Sequence, residues 1–418
     1  MKKFLAAYSI PRNFRYLISR PDTNFAVVDG LRAISMLLVL MFHSYMMYAY
    51  GQTTTSVSEM VEEGGYLFSW IVNSDKGVDV FFVISGFLIT CILLRQIDSM
   101  GRIRLSNFYV RRFLRLSPVY YFAILLYWLA LGNQETANTE NLWANIFYVN
   151  NFIHYHDQAM NWTWSLAIEE QFYVIFPLLL TFLVLKTRSP MVWLWLLWFA
   201  AIAIRYGIII NDELISTLPQ SQLAADKDFH AHHFSVLYDN LYTRYGALLS
   251  GCMAGYYFHY QREQLIAFFA SPLGLLTKTM GLLLVAVLMV LPMVSVRFDD
   301  YQNFNIFYQS VNRNLFGLGI AIIILASFGE GWFKKIAHGF LGSRLLYPVA
   351  QLSYSMYLIH VVPVAMFAAL AKKWVNENPD VSHFDAVFAV FALSTLASVI
   401  LAGIMYLFIE RPLMNLRK

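Results

Sequence analysis

Ten apolar runs, each long enough to cross a bilayer, divide this sequence from end to end. They fall approximately at 27–49, 78–97, 113–131, 166–185, 191–210, 240–259, 276–294, 313–329, 352–371 and 386–409. About 20 mostly apolar residues suffice for a helix to span the hydrocarbon core. The chain is 58% hydrophobic and only 13% charged over 418 residues. A soluble chain carries roughly a quarter charged residues, so this composition marks a polytopic membrane protein. Helices satisfy their backbone groups internally, whereas a spanning barrel would show short alternating segments. The expected fold is therefore all-α: a polytopic membrane helix bundle of about ten transmembrane helices.

The distribution of charge orients it. Of the 30 Lys and Arg residues, 21 fall on the side shared by both termini, 7 on the other, and Arg32 and Arg244 inside spans. Basic residues collect on the cytoplasmic side of a membrane, so both termini are expected there. Residues 1–26 read as a cytosolic basic segment, 27–410 as one transmembrane domain and 411–418 as a short cytosolic tail. The opening MKKFLAAYSI is signal-like only briefly, because Pro11, Arg12 and Arg15 interrupt it. The two cysteines, Cys91 and Cys252, sit in apolar runs and leave no disulfide framework or Cys-rich metal site.

Polar residues inside the spans carry the functional signal, because ionisable groups there are costly unless they face a polar interior. The first span holds Asp29 and Arg32 near one end and His43 towards the other. Arg32 and His43 are eleven residues apart. That is close to three helical turns, so they share a face about 16 Å apart along the axis. In the second span Asp79, Ser85, Gly86 and Thr90 form one polar, small-residue stripe. Gly86 and Thr90 read as close helix packing; Asp79 is a carboxylate that needs a partner. Arg111, Arg112 and Arg115 precede the third span, either as ordinary anchors to anionic lipid or as a phosphate site. Trp162 and Trp164 suit an interfacial belt or a sugar ring. Glu169 and Glu170 follow, and being adjacent they point to different sides, so at most one can face His43.

Arg244 lies near the outer end of the sixth span. His230, His232 and His233 cluster with Asp226 and Asp228 without a fixed metal-ligand pattern, and no metal is expected. His360, inside the ninth span, reads as a hydrogen-bonded bundle histidine. Glu410 and Arg411 read as a pair at the cytosolic surface.

Six motifs in order then give the chain a likeness: DGLRAISMLLVLMFH, GVDVFFVISGFLI, NFYVRRFLRLSPVYY, TWSLAIEEQFY, LSYSMYLIH and IERP. Together they resemble the acyltransferase-3 family of membrane O-acyltransferases, the bacterial polysaccharide acetylases. The family's Arg-x10-His pattern matches at Arg32 and His43, and its Arg-x-x-Arg pattern at Arg112 and Arg115. Acidic residues that follow the sixth-span Arg in relatives are replaced here by Tyr245 and Gly246. With the chain ending at Lys418 after the last span, it resembles the stand-alone form.

The resemblance and the topology together imply acyl transfer across a bacterial inner membrane. Cytosolic acyl-CoA (acetyl-CoA) is the expected donor substrate, its phosphates held by Arg32, Arg112, Arg115 and Arg111. A glycan or glycolipid hydroxyl is the expected acceptor, with Trp164, Glu170, Arg244 and Ser85 as substrate-side residues. His43 is expected as general base, oriented by Glu169 or Asp79. An acyl-enzyme through Ser85 or His43 is the alternative chemistry. No permanently bound cofactor and no nucleic-acid partner are expected, and the oligomeric state is not legible. Two rival classes remain: a proton-coupled transporter or exporter of lipid-linked glycan, and a non-catalytic partner of a polysaccharide synthase.

Overall fold

The computed structural model describes residues 7–416 apart from 22–24, 51–59, 61–63, 66–67, 219–222, 224–225 and 292–300. Lys2, Lys3, Arg297, Arg417 and Lys418, all counted above for orientation, lie outside the described residues. Every described element is helical. Among the described residues eight helices are long and apolar enough to cross a membrane, and a bent pair makes a ninth if it is one span.

A short amphipathic helix, α1 (Ile10–Ile18), comes first. It exposes Ile10, Phe14 and Ile18 and tucks Asn13 inward, where the side-chain amide donates to the carbonyls of Ala7 and Leu407. Its basic segment is thus tied to the last span. Then follow α2 (Ala26–Ala49), α3 (Gly77–Met100), α4 (Leu105–Leu131), α5 (Trp164–Lys186) and α6 (Pro190–Ile210). A short α7 (Lys227–His233) precedes α8 (Leu241–Tyr260), α9 (Pro272–Val290) and α10 (Tyr301–Ser327). The chain closes with α11 (Trp332–Phe340), α12 (Tyr347–Ile359), α13 (Val361–Glu377) and α14 (His383–Met405).

Each of the ten expected segments falls on a helix, but three do so with a twist. The sixth, α8, carries Arg244 and a run of small residues, and is enclosed by its neighbours over most of its length. It packs parallel to α3 at very close range. A Cβ on Gly86 would sit 2.1 Å from the Leu248 carbonyl oxygen, and one on Gly251 2.0 Å from that of Val83. Only glycine permits that approach, and the small-residue stripe read from α3 is its cause. The contact sets Asp79 of α3 level with Arg244 of α8.

The eighth segment begins earlier than its apolar run. Helix α10 starts at Tyr301, so Arg313 lies well inside a helix and not at its outer end. The ninth segment is broken. Helices α12 and α13 meet at 70° around His360. Pro363 has no N–H for the carbonyl one turn back, which favours a break there.

Candidate active site

Helix α2 borders two cavities. The smaller, about 170 Å³, is lined by Arg32, Arg112, Arg115, Ser85, Glu169, Tyr173 and Glu410 among others. The larger, about 440 Å³, is lined by His43, Trp164, Arg244, Arg313, Asp75 and His230 among others. Val78 and Tyr357 line both, so they form part of the wall between them. The eleven-residue spacing of Arg32 and His43 thus delivers one cation to the first cavity and one imidazole to the second.

In the arginine cavity, Arg112 and Arg115 of α4 reach inward on one helical face. Arg111, about 100° round the helix from Arg112, is exposed and lines neither cavity. It does not join the other three. The Arg112 guanidinium lies over the Tyr173 ring at 4.4 Å. Glu169 is held by hydroxyls: Ser85 Oγ donates to one oxygen at 2.9 Å and Tyr173 OH to the other at 3.1 Å. Glu410 accepts from Ser355 Oγ at 2.6 Å. Among the described residues no carboxylate lies within 4 Å of Arg112 or Arg115, and Arg32 has only Asp29 at 3.9 Å. These arginines are left able to take an external anion, and their planar forks suit phosphate.

The expected pairing of Glu410 with Arg411 is not found. Glu410 turns into this cavity, while Arg411 stacks on the Tyr16 ring at 3.8 Å.

In the histidine cavity the orienting partner differs from both candidates. Neither Glu169 nor Asp79 touches His43. Glu169 belongs to the arginine cavity, one face of α5 away, and Glu170 lines neither cavity. Asp79 is fully buried between two guanidiniums, bonded by Arg244 Nη2 at 3.1 Å and Arg313 Nη1 at 2.7 Å. Two cations at its own level on α8 and α10 outcompete a neutral imidazole for it. Arg313 also pairs with Asp75.

His43 instead meets His360, with His43 Nδ1 3.3 Å from His360 Nε2 and 2.9 Å from the Val39 carbonyl oxygen. His360 Nδ1 is 2.7 Å from the Tyr357 carbonyl oxygen. Carbonyls only accept, so both imidazoles carry their proton on Nδ1. His360 Nε2 then accepts from His43 Nδ1–H, and His43 Nε2 keeps a lone pair. A general base needs that tautomer.

The remaining candidates sort as follows. Ser85 is in the arginine cavity, bonded to Glu169 and away from His43. Trp164 lines the histidine cavity, but its ring carries the Arg244 guanidinium at 4.9 Å, with Tyr238 at 4.7 Å on the same cation. The histidines of α7 disperse: His232 bonds Asp212, His233 bonds Gln309, and His230 bonds the Leu223 carbonyl. Among the described residues no group of three or more His, Cys, Asp or Glu could hold a metal ion.

Residue-level reading placed His360 as a hydrogen-bonded bundle histidine, which it is, but missed that its partner is His43, and missed Arg313 and Glu410 as cavity-lining groups. Signals existed for two of them. Pro363 three residues after His360 marks a helix break. Asn305, Gln309 and Arg313 recur every four residues, which is one helical face.

A family model described as an acyltransferase domain matches residues 25–404. The O-acetyltransferase OatA of Staphylococcus aureus strain NCTC 8325 is 28% identical over 400 residues, covering 92% of this chain and 56% of OatA. A provisionally named O-acetyltransferase of Staphylococcus aureus strain COL is 34% identical over 176 residues, 39% of this chain and 26% of that protein. The chain thus spans about half the length of OatA and matches a smaller part of the second relative. No solved structure matches it. Its apolar helices make it a multi-pass membrane protein, and by the match across nearly its whole length the chain belongs to the acyltransferase-3 family.

Proposed function

We propose that this chain is an O-acetyltransferase that carries an acetyl group from acyl-CoA to a hydroxyl of a cell-surface glycan or its lipid-linked precursor. The observation that supports it is α2, which sends Arg32 into one cavity and His43 into the other, with Val78 and Tyr357 between them. The CoA phosphates lie against Arg32, Arg112 and Arg115, and the pantetheine arm reaches past Tyr357 towards His43. His43 Nε2 takes the proton of the acceptor hydroxyl, whose oxygen attacks the thioester carbonyl. A C–O bond forms, the C–S bond breaks, and the proton passes to the leaving thiolate. The Val39 carbonyl holds the reacting tautomer, and His360 supports it. In this reading both termini and the arginine cavity face the cytoplasm of a bacterium and the chain sits in its inner membrane; the excess of cations near α1 and α4 supports it.

Two other readings have an observation behind them. Ser85 donates to Glu169, the start of a serine–carboxylate pair, and would give an acyl-enzyme. The break at His360 is of the kind that transporters use, although among the described residues it is the one such pair. The test is purified protein in liposomes with labelled acetyl-CoA and candidate glycans. Labelled glycan is the expected product. Label trapped on the protein indicates the Ser85 route, and glycan movement without acylation indicates a transporter.

A further inference from the structure

The histidine cavity holds more buried cations than carboxylates to match them. Lys76, Arg205, Arg244 and Arg313 all line it, and none is more than 8% exposed. Two acids, Asp75 and Asp79, answer them, and both are already engaged by Arg313 and Arg244. Arg205 donates only to backbone carbonyls, those of Gln309, Thr243 and Leu237. Lys76 Nζ donates to Asn73 Oδ1 at 2.5 Å and to Tyr308 OH at 3.3 Å. Among the described residues no carboxylate lies within 4 Å of either cation. The next acid along, Asp239, lies outside the cavity lining, is bonded by Gln158, and burial pushes its carboxyl up to about 8. It offers little negative charge at neutral pH.

A buried site with a surplus of two cations is costly unless something supplies negative charge. A second observation says where. Arg244 is 1% exposed, yet its Nε–H has no hydrogen-bond partner. Its plane is held by the Trp164 and Tyr238 rings, so this donor is fixed in direction. A buried, immobilised N–H without a partner in a cation-rich cavity is a place for an anion's oxygen.

We infer that the acceptor is acidic: a carboxylate or phosphate on the sugar is held by Arg244 with Arg205 and Lys76 behind it, while the hydroxyl to be acylated lies at His43. This rests on the acyl-transfer reading above for the word acceptor, but the anion site stands on its own observations. A cavity of about 440 Å³ is within the roughly 300–1,000 Å³ of small-molecule sites.

Calorimetry on the purified full chain in nanodiscs tests it, with glucuronate, glucose 6-phosphate and glucose as probes. Glucuronate or glucose 6-phosphate should bind at least about tenfold tighter than glucose, the worth of one charge-assisted hydrogen bond. Preference between those two identifies carboxylate or phosphate as the source. Arg244→Lys keeps a cation for Asp79 but loses the Nε donor, and should abolish the preference. Lys76→Gln orphans no carboxylate, so it should fold and weaken the anion about tenfold. Equal binding of glucose and the anions overturns the inference. So does displacement of the anion by coenzyme A, which would make these cations part of the donor site. Anion binding with no acetyl transfer to any glycan would sink the O-acetyltransferase reading while leaving the anion site supported.

Discussion

The two cavities bordered by α2 hold their cations in opposite ways. In the arginine cavity the acids are satisfied by hydroxyls, Glu169 by Ser85 and Tyr173, and Glu410 by Ser355. The guanidiniums of Arg112 and Arg115 are left uncommitted. In the histidine cavity Arg313 and Arg244 are locked onto Asp75 and Asp79, and only Arg205 and Lys76 lack a carboxylate partner among the described residues. The first arrangement can bind and release a polyanion at each cycle. The second is a frame that ties α3, α8 and α10 together and holds the wall opposite His43. Cations of the same type thus do different work according to which groups occupy the nearby carboxylates.

Substitutions should separate these roles. The largest effect is expected at His43. His43→Ala should cut acetyl transfer by about 10²–10⁴, the usual worth of a general base, with folding unchanged. Turnover above a tenth of the parent chain would remove His43 from the chemistry. Next, Asp79→Asn should act on the frame and not on the chemistry. It leaves the buried Arg244 without its carboxylate and Arg313 with Asp75 alone, which costs about 3–5 kcal/mol. A lowered melting temperature in detergent is the expected readout, and an unchanged one would contradict the frame.

A smaller effect is expected at His360. His360→Ala removes one of the two acceptors for His43 Nδ1–H, leaving the Val39 carbonyl, and should lower kcat about three- to tenfold, leaving KM for the donor alone. A change confined to KM would mean that His360 lines a binding site and does not orient the base.

The smallest effect concerns pH. Burial pushes His233 down to about 3 and His230 to about 4, against about 6.5 for an exposed histidine. Between those values and 6.5 the unfolded chain binds protons that the folded chain refuses. Stability is therefore full above about 6.5 and falls as pH drops towards 4 and 3. Thermal denaturation from pH 7.5 down to 5 should show this fall, and His233→Gln should flatten it.

Much of this was legible in the residues because helix periodicity is local. Apolar runs located the spans, and an eleven-residue spacing put Arg32 and His43 on one face. The motifs pointed to the family that the chain belongs to. What stayed hidden depends on contacts distant in sequence. His43 is partnered by a residue 317 positions later, brought near by a helix break that averages to an ordinary apolar run. That Asp79 needs a partner follows from its burial; that the partners are Arg244 and Arg313 follows only from the packing of α3, α8 and α10. The eighth apolar run starts only at Arg313 because Asn305, Gln309 and Asn312 depress hydropathy before it, although all three are buried. A polar face turned inward looks, by composition, like no span at all.

The central claim is that donor binding and chemistry belong to different cavities. Calorimetric titration of acetyl-CoA into the parent chain, His43→Ala and the Arg112→Ala/Arg115→Ala double variant tests it most directly. The account predicts parental affinity for His43→Ala, despite its lost turnover. It predicts weakening of about tenfold or more per lost arginine contact in the double variant. Parental affinity in a folded double variant would contradict it and return these arginines to anchoring the chain on anionic lipid.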